Sequence, residues 1–128
     1  MRELLIVGLA GALGAIVRYG VTGWMYELMG PRFPWGTLMV NVAGCFLLGV
    51  LMQVSLTSEL VSPDWRLALG TGFLGAMTTF STFSFETLRE VERGAWGLAG
   101  ANVAANLALG LPATWLGLLL ARRLLGDA

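Results

Sequence analysis

Four stretches of this chain contain no charged residue, and they set its hydrophobic pattern. Asp, Glu, Lys and Arg are absent from residues 4–17, 33–58, 67–85 and 94–121. A membrane-spanning helix needs roughly 20 predominantly apolar residues, and the last three stretches are long enough. The first stretch becomes long enough, at about 23 residues, when Arg18 is included.

The pattern therefore predicts an all-α membrane protein with four transmembrane helices, at about residues 4–25, 34–56, 67–90 and 96–121. Pro34 falls in the first turn of the second helix, where its missing N–H costs nothing. Ser62 or Asp64 offers an N-cap for the third helix. Short connections make neighbouring helices antiparallel. Almost nothing remains for a second domain, so we expect residues 1–128 to form one transmembrane domain.

Composition agrees with a membrane protein. Hydrophobic residues make up 56% of the chain and charged residues only 12%, whereas a soluble domain carries about 25% charged residues. Arg2 ahead of an apolar run is also compatible with a signal peptide, but the single arginine and the three further spans favour a retained helix. The only cysteine, Cys45, lies within a span, so we expect it to pack rather than to form a disulfide.

The arginines outside the spans are divided almost evenly between the two sides of the membrane. Four spans place four arginines on one side and three on the other: Arg2, Arg66, Arg122 and Arg123 against Arg32, Arg89 and Arg93. An excess of Lys and Arg in short loops sets the orientation of a membrane protein, and this chain has almost none. It can therefore insert either way up, which permits a two-fold dimer of opposed copies. The alternative is that one arginine or a partner decides the orientation.

Polar side chains inside the spans need a physical explanation, because a polar group in hydrocarbon must be paired or hydrated. The second and fourth helices carry them at helical spacing: Thr37 and Asn41 on the second, and Asn102, Asn106 and Thr114 on the fourth. The three on the fourth helix share one face, with Gly110 at the intervening position. This track is either the wall of a pathway or a set of helix–helix hydrogen bonds, and the residues alone do not decide between them.

The third helix carries a seam of hydroxyl and phenylalanine side chains, GAMTTFSTFSFE (75–86). Phe80 and Phe83 can turn their positive ring edges toward one passage. Together with hydroxyl and amide hydrogens, these edges can replace water around a small anion, whose full desolvation costs on the order of tens of kcal/mol in an idealised low-dielectric medium. The alternative, that a phenylalanine simply faces lipid or core, is favoured for Phe85.

No carboxylate is predicted in the centre of a span. Glu86 and Glu90 fall in the charged tail of the third helix. Each is spaced to pair with an arginine three positions later, Arg89 or Arg93. A cation exporter normally buries a carboxylate, whereas this chain buries Arg18 and neutral donors. Spans that offer hydrogen-bond donors and no negatively charged acceptor suit the passage of an anion.

The glycine-rich stretch GTGFLG (70–75) has the spacing of a dinucleotide-binding loop, but it lies within a span and lacks the strand–turn–helix context. Glycines followed by hydroxyl residues predict instead that helix three is broken near residues 75–79. Backbone carbonyls freed by such a break can bind a small cation. Pro112 should disturb helix four by removing one backbone donor. The sequence has no His and no nucleophile–base pattern, so we do not expect an enzyme.

Three motifs resemble the Fluc (CrcB) family of fluoride channels over the whole length of the chain. They are GLAGALGAIVRYG (8–20), PWGTLMVNVAGCFLLG (34–49) and GTGFLGAMTTFSTFSFE (70–86). The resemblance implies a four-helix protomer that pairs with an inverted copy of itself, giving an antiparallel homodimer with two narrow fluoride pores. This implication agrees with the even division of arginines.

The resemblance also implies roles for individual residues. Asn41 resembles the pore asparagine whose amide contacts fluoride. Phe80 and Phe83 resemble the paired phenylalanines whose edges line the ion path. Gly75 and Thr78 match the break in helix three, whose backbone carbonyls from both copies hold a central, structural sodium ion.

Other positions match the family in part. Arg18 resembles the positive residue near the pore mouth, and Thr114 resembles a hydroxyl of the helix-four track. Gly110 stands where a serine is expected, and Asn102 and Asn106 stand where aromatic or imidazole groups occur. The remaining donors are placed along the same fluoride path: Thr37, Ser81, Thr82 and Asn106.

The resemblance implies a channel in the cell (inner) membrane that lets fluoride leave the cytoplasm passively and so reduces its toxicity. Besides sodium, it implies no organic cofactor, and the partners are fluoride, a second copy and lipid, without nucleic acid. Two alternatives stay open. A dual-topology drug exporter would need an intramembrane carboxylate in helix one, where only Arg18 is found. A non-conducting packing subunit would show no ion flux and would tolerate replacement of Phe80 and Phe83.

Overall fold

The computed structural model describes residues 1–126, and every regular element in that range is a helix. Three of these helices are long and apolar enough to cross a membrane: α1 (Arg2–Met29), α2 (Trp35–Thr57) and α6 (Trp96–Leu125). They lie where the uncharged stretches predicted them and extend a few residues further, because the polar residues at their ends continue the helical hydrogen bonding.

The third segment of the chain, residues 63–92, consists of several helical pieces. They are α3 (Pro63–Arg66), a π-helix (Leu67–Leu74), α4 (Gly75–Met77) and α5 (Phe80–Glu92). The first three follow one another without a gap. Thr78 and Thr79 then adopt extended backbone before α5 begins. Of the two predicted N-caps, Ser62 is the one used, since its Oγ accepts the backbone N–H of Trp65 at 3.4 Å.

Glycines in the left-handed region close two of the connections. Gly30 has φ 79° directly after α1 and donates its N–H to the carbonyl of Tyr26 at 2.9 Å. Gly94 has φ 76°, two residues after the end of α5, and donates its N–H to the carbonyl of Val91 at 2.9 Å. A residue with a Cβ is strained in this conformation, so glycine is the residue that ends both helices abruptly.

Other glycines allow close helix packing within the chain. A Cβ on Gly117 of α6 would overlap the carbonyl of Phe46 on α2 and lie 3.0 Å from the backbone N of Val50. A Cβ on Gly14 of α1 would overlap the carbonyl of Phe73 in the π-helix. Small residues permit this approach between helices in lipid. The fold therefore consists of α6 packed on α2 and α1 packed on the third segment.

The interior is small. A cluster of buried side chains joins α2 to the third segment: Val40, Leu51, Leu74 and Met77.

α6 runs through Pro112 without interruption, so the predicted disturbance is limited to the one backbone hydrogen bond that proline cannot donate.

Gly117→Ala should destabilise the protein by about 1–3 kcal/mol, because the added methyl meets the backbone of α2, which cannot move aside as a side chain would. Gly100 lies on the same helix with no neighbouring atom within 4 Å of an added Cβ. Gly100→Ala should therefore be neutral or slightly stabilising. Thermal unfolding of both variants in detergent tests the contrast, and equal unfolding temperatures would refute the packing.

Candidate functional site

The interruption after α4 opens on a groove with a volume of about 330 Å³. Side chains and backbone from α2, the interruption, α5 and α6 line it: Asn41, Gly44, Cys45, Leu48, Thr78, Thr79, Phe80, Phe83, Asn106, Leu107, Gly110 and Leu111. No lining residue is ionisable apart from the thiol of Cys45. The groove thus combines an apolar wall with a few neutral hydrogen-bonding groups.

Asn41 is hydrogen-bonded to both backbone groups of Thr79. Its Oδ1 accepts the Thr79 N–H at 2.8 Å, and its Nδ2 donates to the Thr79 carbonyl at 3.2 Å. In a continuous helix, the Thr79 N–H would donate to the carbonyl of Gly75 four residues earlier. The side chain of Asn41 therefore replaces a backbone partner and leaves the Gly75 carbonyl without that helical donor.

The hydroxyl seam caps the start of α5. Thr79 is the N-cap residue, and its Oγ1 accepts the backbone N–H of Thr82 at 3.1 Å. The same oxygen bonds to the hydroxyls of Thr82 at 3.0 Å and Ser81 at 3.2 Å. Ser81 and Thr82 themselves are exposed and do not line the groove. These hydroxyls satisfy donors at a helix end that have no partner within the helix.

Phe80 and Phe83 lie on the first turn of α5 and both line the groove. Their ring centroids are 5.4 Å apart with planes inclined at 59°. The two rings are therefore inclined to each other rather than stacked in parallel. Phe80 is 78% exposed, so a large apolar side chain stands uncovered beside the groove. By contrast, Phe85 has the Arg89 guanidinium over its ring at 5.6 Å and lies outside the groove.

Glu86 corrects a sequence-based prediction. The prediction paired it with Arg89, but its Oε1 accepts a hydrogen bond from the buried Thr37 hydroxyl of α2 at 2.8 Å. Its Oε2 is buried without a hydrogen-bond partner among the described residues. The corresponding prediction for Glu90 and Arg93 is correct, with an ion pair of 2.9 Å. One signal for Glu86 was available, since it lies three residues after Phe83 and therefore on the same helical face.

Of the remaining predicted residues, Thr78 lines the groove, whereas Thr114, Arg18 and Gly75 do not. Thr114 donates to the carbonyl of Gly110 on its own helix at 3.2 Å. Arg18 is half-buried on α1, a helix that contributes nothing to the lining. Thr78 lines the groove and bonds back to the Leu74 carbonyl through its Oγ1 at 2.9 Å. Gly75 is exposed, one turn before the interruption.

Metal binding by side chains has no support in the described part of the chain. Residues 1–126 contain no group of three His, Cys, Asp or Glu side chains close enough to hold an ion. Any cation at the interruption would have to be held by backbone oxygen, as small hard cations accept. The Gly75 carbonyl released by Asn41 is one such oxygen.

Comparison with known proteins places this geometry in a family. The family model described as “CrcB-like protein, Camphor Resistance (CrcB)” matches residues 5–118. A relative from Acidobacterium capsulatum is 50% identical over 122 residues, 95% of this chain and 98% of its own length. A relative from Geobacter sulfurreducens is 48% identical over 124 residues, 97% of this chain and 100% of its own. Both relatives are named “Fluoride-specific ion channel FluC”.

Thr79→Val should destabilise the start of α5 by about 1 kcal/mol, because it keeps the shape of the side chain and removes the capping oxygen. Thr79→Ser keeps that oxygen and should behave as wild type. Hydrogen exchange at the amides of residues 80–83, measured by mass spectrometry, reports the local effect. Equal exchange in the two variants would show that the cap contributes nothing.

Proposed function

This chain belongs to the CrcB family, whose members are ion channels and not enzymes, and on that premise we propose that it is a fluoride-selective channel. It is a multi-pass membrane protein, with long apolar helices that can cross a bilayer. Fluoride enters cells as its neutral weak acid and dissociates at cytoplasmic pH. A passive channel lets the anion leave down its electrochemical gradient, which lowers its toxicity.

One observation carries the proposal: weak donors converge on a groove without an ionised wall. Asn41, Phe80 and Phe83 line this space, and so does Thr79, the N-cap residue at which α5 begins. A helix N-terminus carries partial positive charge, and aromatic edges carry more. Several partial charges can replace the water of a small anion without trapping it, as conduction requires. We assign selectivity against chloride to a narrow, donor-rich path that a larger anion cannot fill.

Both hydrogens of the Asn41 amide are engaged in this structure. Nδ2 donates to the Thr79 carbonyl and, at 3.1 Å, to Oδ1 of Asn106. An ion that contacts Asn41 therefore takes the place of one of these acceptors. We assign this exchange to the Asn106 oxygen, because it belongs to a side chain, whereas the Thr79 carbonyl is part of the backbone. Fluoride would thus enter without creating an unpaired donor.

We extend the ion path beyond the groove through the other predicted donors. Thr37, with Glu86 beside it, lies on the α2–α5 side, and Thr114 lies beyond Gly110 along α6. Ser81 and Thr82 flank the exposed start of α5. Arg18 is assigned to the mouth of the path, where a positive charge attracts anions from solution.

An antiparallel homodimer completes the proposed pore. The groove is open on one side, and the exposed Phe80 is a large apolar surface beside it. A second copy would close the groove, and two-fold symmetry would produce two pores. The even division of arginines supports insertion in both orientations. The break in the third segment would then lie in the middle of the membrane, where both copies meet.

The proposed structural sodium ion fits the chemistry at the interruption. The Gly75 carbonyl lacks its helical donor because Asn41 takes the Thr79 N–H, and Gly75 is exposed toward a possible second copy. Backbone carbonyls of Gly75 and Thr78 from both copies would hold the ion. The ion would link the two copies by satisfying oxygens that would otherwise be unpaired in hydrocarbon.

Purified protein in liposomes should release fluoride rapidly and chloride negligibly, as followed with ion-selective electrodes. Phe80→Leu should slow fluoride release by about tenfold or more, because it removes the ring edge and also the contact with Phe83. Phe85→Leu on the same helix is the matched control and should conduct like wild type. Absence of fluoride release from well-folded protein, or equal rates in the two variants, would leave the packing-subunit alternative ahead.

Replacing sodium by N-methylglucamine should destabilise the dimer by about 2–3 kcal/mol, if the ion is normally present at about 100 times its dissociation constant. Cross-linking yield and thermal unfolding, measured as sodium is added back, test this expectation. Potassium at the same concentration controls for ionic strength and should not restore the dimer. If neither the cross-linking yield nor the unfolding temperature depends on sodium, the sodium ion is excluded from the proposal, while the proposal of fluoride conduction still stands.

A further inference from the structure

The three asparagines of this chain form one continuous series of hydrogen bonds. Nδ2 of Asn41 donates to Oδ1 of Asn106 at 3.1 Å. Nδ2 of Asn106 donates to Oδ1 of Asn102 at 3.0 Å and to its backbone carbonyl at 2.9 Å. Nδ2 of Asn102 donates to Oγ1 of Thr87 at 2.9 Å. The chain contains no other asparagine, so the series uses every one.

Both ends of this series lie on the backbone of the third segment, at the start of α5. At one end, the Thr79 N–H donates to Oδ1 of Asn41 at 2.8 Å. At the other end, the Thr87 hydroxyl donates to the carbonyl of Phe83 at 2.8 Å. The series leaves the backbone at Thr79, passes through α2 and α6, and returns to the backbone about one turn later, at Phe83. The stretch that carries Phe80 and Phe83 is therefore held between its two ends.

Backbone groups fix the direction of every bond in the series. The Thr79 N–H can only donate, so the Asn41 atom facing it must be oxygen, and Nδ2 must face Asn106. The Asn102 carbonyl can only accept, so the Asn106 atom facing it must be nitrogen. The Asn106 oxygen is thereby turned toward Asn41. No amide can flip alone without placing two donors or two acceptors against each other.

Asn102 occupies a different place from the other two asparagines. It is 1% exposed and does not line the groove, whereas Asn41 and Asn106 do. It therefore cannot touch an ion in the groove. Its two bonds to Asn106 nevertheless determine which atom Asn106 presents there. Turning a buried amide away from its hydrogen-bond partners costs free energy, because no water is present to replace the lost hydrogen bonds.

We propose that Asn102 is a positioning residue for fluoride conduction: with Thr87 it orients the Asn106 amide, which in turn orients Asn41 and its hold on Thr79. The inference rests on the proposed function and adds a residue outside the pore that determines its donor pattern. An apolar residue at position 102 would remove the Oδ1 acceptor, so that only the backbone carbonyl of residue 102 would still hold the Asn106 amide. The less constrained amide could then rotate toward Asn41, which would set two N–H groups against each other at the groove.

Fluoride and chloride release from liposomes provides the first test. Asn102→Leu should reduce fluoride release by roughly tenfold, since it removes the partners of two hydrogen bonds. Thr87→Val should reduce it by about two- to fivefold, and Thr87→Ser, which keeps the hydroxyl, should stay near wild type. Ser55→Ala is the control, because the Ser55 hydroxyl only donates to Leu51 of its own helix, at 2.6 Å. It should leave both rates unchanged.

The side-chain amide signals of ¹⁵N-asparagine-labelled protein provide a second test. Three asparagines give three NH₂ pairs, so each signal is assignable by substitution. Thr87→Val should shift the signals of Asn102, of Asn106 and, through two further hydrogen bonds, of Asn41, whereas Thr87→Ser should not. A purely structural role of Thr87 would lower the unfolding temperature without moving the distant Asn41 signal.

The outcomes separate this inference from the proposed function. A wild-type protein that does not release fluoride would overturn the proposed function and this inference with it. Only the inference would be overturned if the wild type conducts, the Thr87 and Asn102 variants release fluoride at the wild-type rate, and the Asn41 signal does not shift. If Asn102→Leu fails to fold, the matched Thr87→Val and Thr87→Ser pair decides alone. A shifted Asn41 amide signal together with slower fluoride release in Thr87→Val would support the inference.

Discussion

The bond between the Asn41 amide and the Thr79 backbone is the contact on which the rest of the site depends. A side-chain amide has one acceptor and one donor group side by side, as a peptide unit has, and can therefore pair with a backbone N–H and C=O together. An interruption in a membrane helix leaves backbone groups unpaired, and each costs several kcal/mol in hydrocarbon. Asn41 removes that cost at Thr79 and so makes the interruption stable.

Three consequences follow from that single contact. The Gly75 carbonyl loses its helical donor and becomes available to another ligand. Thr79 is held in extended backbone, which is the conformation an N-cap requires, so that its hydroxyl can start α5. Finally, α5 begins beside α2 and α6, which brings Phe80 and Phe83 to the groove. The break, the cap and the aromatic pair are thus parts of one arrangement.

The sequence predicted the three long apolar helices well because charge and hydropathy determine them locally. It also pointed to residues 75–79, since glycines followed by hydroxyl residues weaken a helix. It misassigned Glu86 because the i+3 rule considers only one helix, while the actual partner, Thr37, lies 49 positions away. The π-helix of residues 67–74 had no signal in the pattern; it packs against α1, where Gly14 lies against the backbone of Phe73.

The same limit applies to the polar track of α6. Periodicity placed Asn102 and Asn106 on one face, and two interpretations of that face were left open. The contacts show helix–helix hydrogen bonding for Asn102, which is buried against Thr87, and a place in the groove for Asn106. One turn along a helix separates a structural position from a lining position, and only the neighbouring helices decide which is which.

Asparagine suits this place for a reason that joins stability to conduction. An arginine at position 41 would hold an anion too strongly to release it, and a carboxylate would repel it. A hydroxyl that paired with both backbone groups of Thr79 would have no second hydrogen to offer an anion. A neutral amide satisfies the backbone and still offers a donor that can exchange one acceptor for another at little cost, because each hydrogen bond is worth only about 1 kcal/mol net. A stable interruption and a weak, exchangeable anion contact therefore require the same side chain.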